Sequence, residues 1–324
     1  MRIANALRLC AALALALLAP AAGAQTYPAK PVRIITPFAP GSGPDSALRV
    51  VGERLTRLWG QQVVVENRPG GNGFIALEAA KRSPADGYTL VQMDDTHMSL
   101  LPHLYRRIPY DVARDFDPVA ALFRTYFFVV VPTGSAWRDV GDLVAAARAK
   151  PNEINYGSWF VGSPGHLGAA MLEGATGTRM THIPYKAQSD LFTAVANGDV
   201  AWAFGTAGSS GAMLRAGKVR YVAVSAPRRI EGYPDVPTVA EAGGPALDLK
   251  SWVALFAPKG TPQPVVARVN ESMARVLADP EVRERFAALG YETYTATPAE
   301  MDREREADVQ RYGEVVKTAN ISIE

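Results

Sequence analysis

"VRIITPFAPGSGPDSALRVVGERL", residues 32–55, passes from an apolar run through a loop of Gly, Pro and Ser into a helical pattern. The apolar run is short and ends at Pro37. Beyond the loop, Leu48, Val51, Leu55 and Leu58 share one helical face. A strand, a glycine loop and a helix form a corner that can hold an anion. The first N–H groups of the helix are unsatisfied, and its dipole is positive at that end. The G-x-G of Gly41 and Gly43 does not make a dinucleotide fingerprint, since Ser46 and Glu66 must be forced into its remaining roles. No G-K-[ST] follows, so it is not a P-loop. Ser42 and Asp45 also fit an S-x-x-D helix start, and a capped turn without a ligand is the plain alternative.

Outward from this corner the chain alternates in the same way. Short β-like runs lie at 32–38, 62–67, 88–93, 126–132, 154–158, 180–185, 200–206, 219–225 and 252–258. Amphipathic helices are expected at 46–59, 139–149, 163–173, 188–197 and 264–278. The charged stretch 298–317 reads as a helix with a solvated face. Strands spaced by helices indicate parallel α/β sheets. This length suggests two lobes, and the lack of a Gly/Ser linker favours a chain that crosses between them more than once. Ligands of open α/β sheets sit beyond the carboxyl ends of strands, so the loops there should line the site.

Residues 1–24 read as a secretory leader: Arg2 and Arg8, the apolar "LCAALALALLAP", then Ala22-Gly23-Ala24. The run is too short to span a membrane. Cys10 falls inside it, after a poor lipoprotein box. The leader holds two of the 34 basic residues and none of the 32 acidic ones, so the mature chain carries no formal net charge and no cysteine. Neutrality argues against nucleic acid or an anionic membrane as partner. An exported, monomeric protein of the periplasm is expected, stabilised by its core rather than by disulfides.

Two further loops can carry chemistry. In "ENRPGGNGF" (66–74), Gly70 and Gly71 let the backbone approach a ligand, and Asn72 adds an amide. Arg68 could clamp a carboxylate or simply pair with Glu66. In "YGSWFVGSPGHLGAAML" (156–172), Ser163-Pro164 starts a helix, and Ser158 and Ser163 offer hydroxyls. His97 with His103, and His166 with His182, have no metal-ligand spacing, and neither a metal nor a cofactor is expected. "GSSG" at 208–211 is not a nucleophile elbow. A triad assembled at a distance would make the chain an exported α/β hydrolase or isomerase acting on a small carboxylate, which is kept as the alternative.

In this order the loops resemble the Bug/TctC family, the periplasmic solute-binding proteins of tripartite tricarboxylate transporters. The matching stretches are "YPAKPVRIITPFAPGSGPDSALR" (27–49), "VVVENRPGGNG" (63–73), "ADGYTLV" (85–91), "HLYRRIPYDVARDFDPVAAL" (103–122), "NYGSWFVGSPGHLGAAML" (155–172), "THIPYKAQSDLFTAVANGDV" (181–200), "GKVRYVAVSAPRRIEGYPDVPTVAEAG" (217–243) and "SWVALFAPKGTP" (251–262). The resemblance implies a two-lobed Venus flytrap, each lobe a sheet flanked by helices. One lobe would hold about 25–124 with 248–324 and the other about 125–247, with a carboxylate in the cleft between them. It also implies membrane components of such a transporter as partners.

The expected cleft residues are Phe38, Ala39, Ser42, Gly70, Gly71, Asn72 and Thr96 from one lobe, and Ser158, Phe160, Ser163 and Thr206 from the other. Three positions depart from the family pattern: Ser42 for the second Gly of "PGG", Phe160 for a Gly, and Ala187 for the Gly of "PYKG". A Phe at the cleft would suit a larger or aromatic acid, or else pack on its own lobe.

Overall fold

The computed structural model describes residues 27–318 and 321. The expected leader lies outside them. One sheet contains β1 (Val32–Thr36), β2 (Val63–Asn67), β3 (Thr89–Asp94), β4 (Phe116–Tyr126), β10 (Lys250–Pro258) and β11 (Tyr291–Thr293), in the order β11-β4-β10-β3-β1-β2. The other contains β5 (Phe128–Pro132), β6 (Asn155–Ser158), β7 (Thr181–Pro184), β8 (Trp202–Gly205) and β9 (Val219–Val224), in the order β7-β6-β8-β5-β9. Helices cover both faces of each sheet. The first lobe has α1 (Gly43–Trp59), α2 (Phe74–Lys81), α3 (Leu101–Leu104) and α4 (Val112–Asp115). The second has α5 (Val140–Ala149), α6 (Pro164–Thr176), α7 (Gln188–Asn197) and α8 (Ala207–Arg215). The chain then returns with α9 (Gln263–Ala278), α10 (Pro280–Ala288) and α11 (Pro298–Thr318).

Period-two alternation gives each sheet two cores. Val32 and Ile34 join α1 and α9 on one face, while Ile35 joins α2 and Trp252 on the other. Val129 and Val131 face one way in the second sheet, and Phe128 and Val130 the other. The α1 stripe of Ala47, Leu48, Val51 and Leu55 is fully buried. Gly60, in the left-handed region at φ 64°, ends that helix and donates its N–H to the Thr56 carbonyl.

The sheets are mixed rather than parallel as expected. β10 runs antiparallel to both β3 and β4, β11 to β4, and β5 to both β8 and β9. β4 was hidden from sequence pattern because it contains Pro118 and Arg124. Pro118 sits beside a register irregularity opposite Leu255 and Phe256, where a strand tolerates a residue without an N–H.

The chain leaves the first lobe along β4 and enters β5 with only Phe127 between them. It returns between β9 and β10. Buried Ser225 ties these crossings together. Phe127 N–H donates to the Ser225 hydroxyl (2.9 Å), Ser225 N–H donates to the Phe127 carbonyl (2.8 Å), and the Ser225 hydroxyl donates to the Leu249 carbonyl. The α11 helix is less solvated than its charge suggested. Met301, Asp308, Tyr312 and Val316 are buried, and Trp252 donates its indole N–H to Asp308 (2.8 Å).

Candidate functional site

A cavity of about 600 Å³ lies between the lobes. It is bounded by the loops after β1, β2, β3, β6 and β8, at the carboxyl ends of strands.

The first-lobe wall is built on buried polar contacts. The Thr36 hydroxyl donates to Gln92 (2.7 Å) and accepts from Phe38 N–H (3.2 Å), and Gln92 donates to the Pro44 carbonyl (3.1 Å). Asp45 accepts from Gly41 N–H (2.8 Å), Arg49 (3.0 Å) and Asn67 (2.7 Å), and Asn67 also donates to the Phe38 carbonyl (3.0 Å). Burial pushes the Asp45 carboxyl up, but the bonds from Arg49, Asn67 and Gly41 outweigh it and hold it below the usual range. The expected Ser42 cap is absent. Asp45 organises the loop instead, and the buried Ser42 hydroxyl has no partner among the described residues. Gly70, Gly71, Asn72 and Gly73 all take positive φ, so the chain coils left-handed there. Gly73 has a second reason to lack a side chain, since a Cβ would collide with the His97 ring.

The second-lobe wall combines the rings of Phe127, Trp159 and Phe160 with Gln188, Thr206 and Ser209. Trp159 and Phe127 stack with centroids 6.1 Å apart, and Phe160 lines the cavity beside them. Behind this loop, His166 and His182 stack at 3.8 Å. Gly162 N–H donates to His166 Nδ1 (2.9 Å), and the Ser158 hydroxyl bonds to His182 Nε2 (2.7 Å) and to the Phe160 carbonyl (2.8 Å). Burial lowers both imidazoles to about 4, with the neighbouring ring contributing for His166. Thr206 caps α8 through a reciprocal box with Ser209.

Of the expected residues, Phe38, Ser42, Gly70, Gly71, Asn72, Thr96, Phe160 and Thr206 line the cavity. Ala39, Ser158 and Ser163 do not. Ala39 is exposed on the turn, where its carbonyl accepts from Ser42 N–H (3.1 Å). Ser158 and Ser163 are fully buried: one hydroxyl braces the loop from behind, and the other caps α6 at His166 N–H (3.4 Å). Arg68 is also outside the lining and bonds Glu66 (2.5 Å). The sequence reading missed Asp94, His97, Phe127, Trp159, Ser251 and Tyr291, all of which line the cavity. Two of these were within reach: "DDTH" follows a predicted strand, but His97 was weighed only as a metal ligand. Ser251 and Tyr291 arrive on strands that pair over a long range. Among the described residues no lysine or arginine lines the cavity, and no group of His, Cys, Asp and Glu suits a metal.

Known proteins place this architecture. The family described as "Tripartite tricarboxylate transporter family receptor" matches residues 47–321. A relative from Pseudomonas sp. (strain P51), the UPF0065 protein in the tcbD-tcbE intergenic region, is 32% identical over 313 residues, covering 95% of this chain and 93% of its own. The solved structure of R. palustris Rpa4515 with adipate is 32% identical, has a TM-score of 0.82, and is covered in full by 92% of this chain. The structure of the periplasmic binding protein BugD is 28% identical with a TM-score of 0.76, again over 92% of this chain and all of its own. The chain therefore belongs to the TctC family of periplasmic solute-binding proteins, two-lobed binding proteins and not enzymes.

Proposed function

We propose that the protein captures a small organic carboxylate in the periplasm and delivers it to the membrane components of a tripartite tricarboxylate-type transporter. The observation that carries this reading is the cavity wall at the ends of β1 and β2. It offers glycine turns and a Ser42 hydroxyl with no partner among the described residues, and the described lining residues include no lysine or arginine. Hydrogen bonds to a charged group are worth roughly 1.5–3 kcal/mol each, so several can support micromolar binding without a full counter-charge. The adipate bound to Rpa4515 supports a carboxylate, and the family description supports the transporter.

In this reading the ligand touches Phe38, Ser42, Gly70, Gly71, Asn72 and Thr96 in the lobe formed by about 25–124 and 248–324. It touches Phe160 and Thr206 in the lobe formed by about 125–247. Ala39, Ser158 and Ser163 serve as support. The aromatic wall favours an acid with an apolar body. Export through a leader at 1–24 delivers the protein to this compartment.

The test is a thermal-shift screen against organic acids, followed by X-ray scattering with and without the best binder. Stabilisation without turnover, together with a smaller radius of gyration, is expected. An acid consumed at a catalytic rate, or no stabilisation by any acid, would overturn the reading.

A further inference from the structure

The carboxylate reading meets a difficulty inside the cavity. Among the described residues the one acidic side chain in the lining is Asp94, whose charge repels an incoming anion. Beside it stands His97, mostly buried and in edge contact with the Phe38 ring (centroids 5.8 Å apart). His97 N–H donates to Asp94 Oδ1 (3.1 Å), and ring Nδ1 contacts the same oxygen. A carboxylate accepts, so Nδ1 carries the proton. Nε2 then points a bare lone pair next to Gly73 and has no hydrogen-bond partner among the described residues. A neutral His97 would therefore offer a ligand carboxylate nothing but repulsion, whereas an imidazolium would offer an N–H and cancel the Asp94 charge.

We infer that His97 is the charge partner of the ligand: the carboxylate binds with uptake of a proton at Nε2, and Asp94 holds the ring in place through Nδ1. This inference rests on the proposed carboxylate function and concerns how that site chooses its ligand. Imidazole is the side chain that changes charge between about pH 5 and 8, so binding weakens as the medium turns alkaline. The site therefore prefers an acid with one carboxylate at this end, because the described lining has no cation to meet a second one.

The groups around His97 are few. Tyr110 donates its hydroxyl to the His97 carbonyl (2.8 Å), and Pro37, Phe38 and Gly73 bring no charge. Behind the strand end lies Asp95, which accepts from Ser251 and Tyr312, with Asp308 and Arg311 beyond it on α11. Burial, with Asp94 and Asp308 nearby, raises the Asp95 carboxyl to about 7, so it is the rival source of any proton uptake.

Acetate, a carboxylate and little else, is the probe. Imidazole ¹⁵N resonances of the whole protein are titrated with pH, with and without saturating acetate. The expected result is that saturating acetate moves the His97 ring resonances to those of an imidazolium, and that acetate affinity falls as the medium turns alkaline. In His97→Gln the affinity should be weak and flat with pH. In Asp94→Asn the acetate-linked change should weaken while the melting temperature stays near wild type. In Asp95→Asn the acetate-linked shift should persist. Acetate that stabilises the protein but leaves the His97 ring resonances unmoved, or a pH dependence that survives in His97→Gln and vanishes in Asp95→Asn, would overturn the inference and leave the carboxylate reading standing. Failure of acetate and of every acid in the screen would remove both.

Discussion

The two walls of the cleft are made by opposite means. The first-lobe wall is polar and built around one buried carboxylate, Asp45, with four left-handed residues coiling at 70–73. The second-lobe wall has no such carboxylate among the described residues; it sets Trp159 stacked on Phe127 beside Phe160 and Thr206, and neutral hydroxyl and imidazole contacts brace it from behind. One wall presents pre-aligned backbone dipoles that suit the proposed carboxylate. The other presents shape and apolar area, which suit whatever distinguishes one acid from another. A binding protein can thus keep its anion grip and change its ligand through one wall alone.

The largest effect expected from breaking this contrast is at Asp45. Asp45→Ala strands Asn67 and the Gly41 N–H, and should cost about 3 kcal/mol of stability in urea unfolding. A loss below about 1 kcal/mol would show that the glycine loop holds its own shape. On the other wall, acid should act first. The unfolded chain protonates its histidines below about pH 6.5. The folded chain keeps His166 and His182 neutral down to about 4. Stability is therefore full above that window and declines as pH falls through it. The melting temperature should drop by several degrees between about pH 7 and 4.5, and His182→Gln should flatten the decline. Depressed carboxyls such as Asp45 lose their contribution only below the ordinary carboxylate range near pH 4, so the two walls are separable by pH.

Smaller effects sharpen the division of labour. Phe160→Gly should loosen benzoate about fivefold, the worth of roughly 1 kcal/mol of ring contact, and leave malate nearly unchanged in calorimetry. Equal loss of both acids would mean that Phe160 shapes the anion grip as well. The smallest effect should come from Arg68→Gln. Its guanidinium is spent on Glu66 in a partly solvated pair outside the cavity lining, so affinity should change less than fivefold and hardly respond to salt. A hundredfold loss would restore the arginine clamp.

The two walls also differ in how far they could be read from sequence. The corner at 32–55 was legible because β1 is fully flanked and Leu48, Val51 and Leu55 are buried as the pattern expects, although Leu58, expected on the same face, is exposed. The glycine loop was legible because its conformation needs those residue types. Ser158 and Ser163 were misplaced for a physical reason: a hydroxyl after a strand can point into a cleft or back into the lobe. The deciding partner of Ser158, His182, lies on another strand. Asp94 and His97 were passed over because their meaning arises from contact with each other and with Gly73. Neither β4 nor β11 shows a strand signal. One carries a proline and an arginine, and the other has only three residues that gain their pairing from β4.

The strand order carries a consequence for how the molecule comes into being. β10 lies between β3 and β4, so the first sheet stays divided until residues 250–258 arrive. All five strands of the second sheet lie within one uninterrupted stretch, 128–224. A chain threaded outward from its N-terminus would complete the second lobe first. The first lobe would meanwhile wait as two unjoined strand groups, β1 to β3 and β4, with exposed edges. Such late, long-range pairing is slow. In refolding followed by pulsed hydrogen exchange, amides of β5, β8 and β9 should gain protection before those of β3 and β4, whereas simultaneous protection would refute this order. The insertion of β10 therefore keeps the first lobe, and not the second, open until residues 250–258 are available.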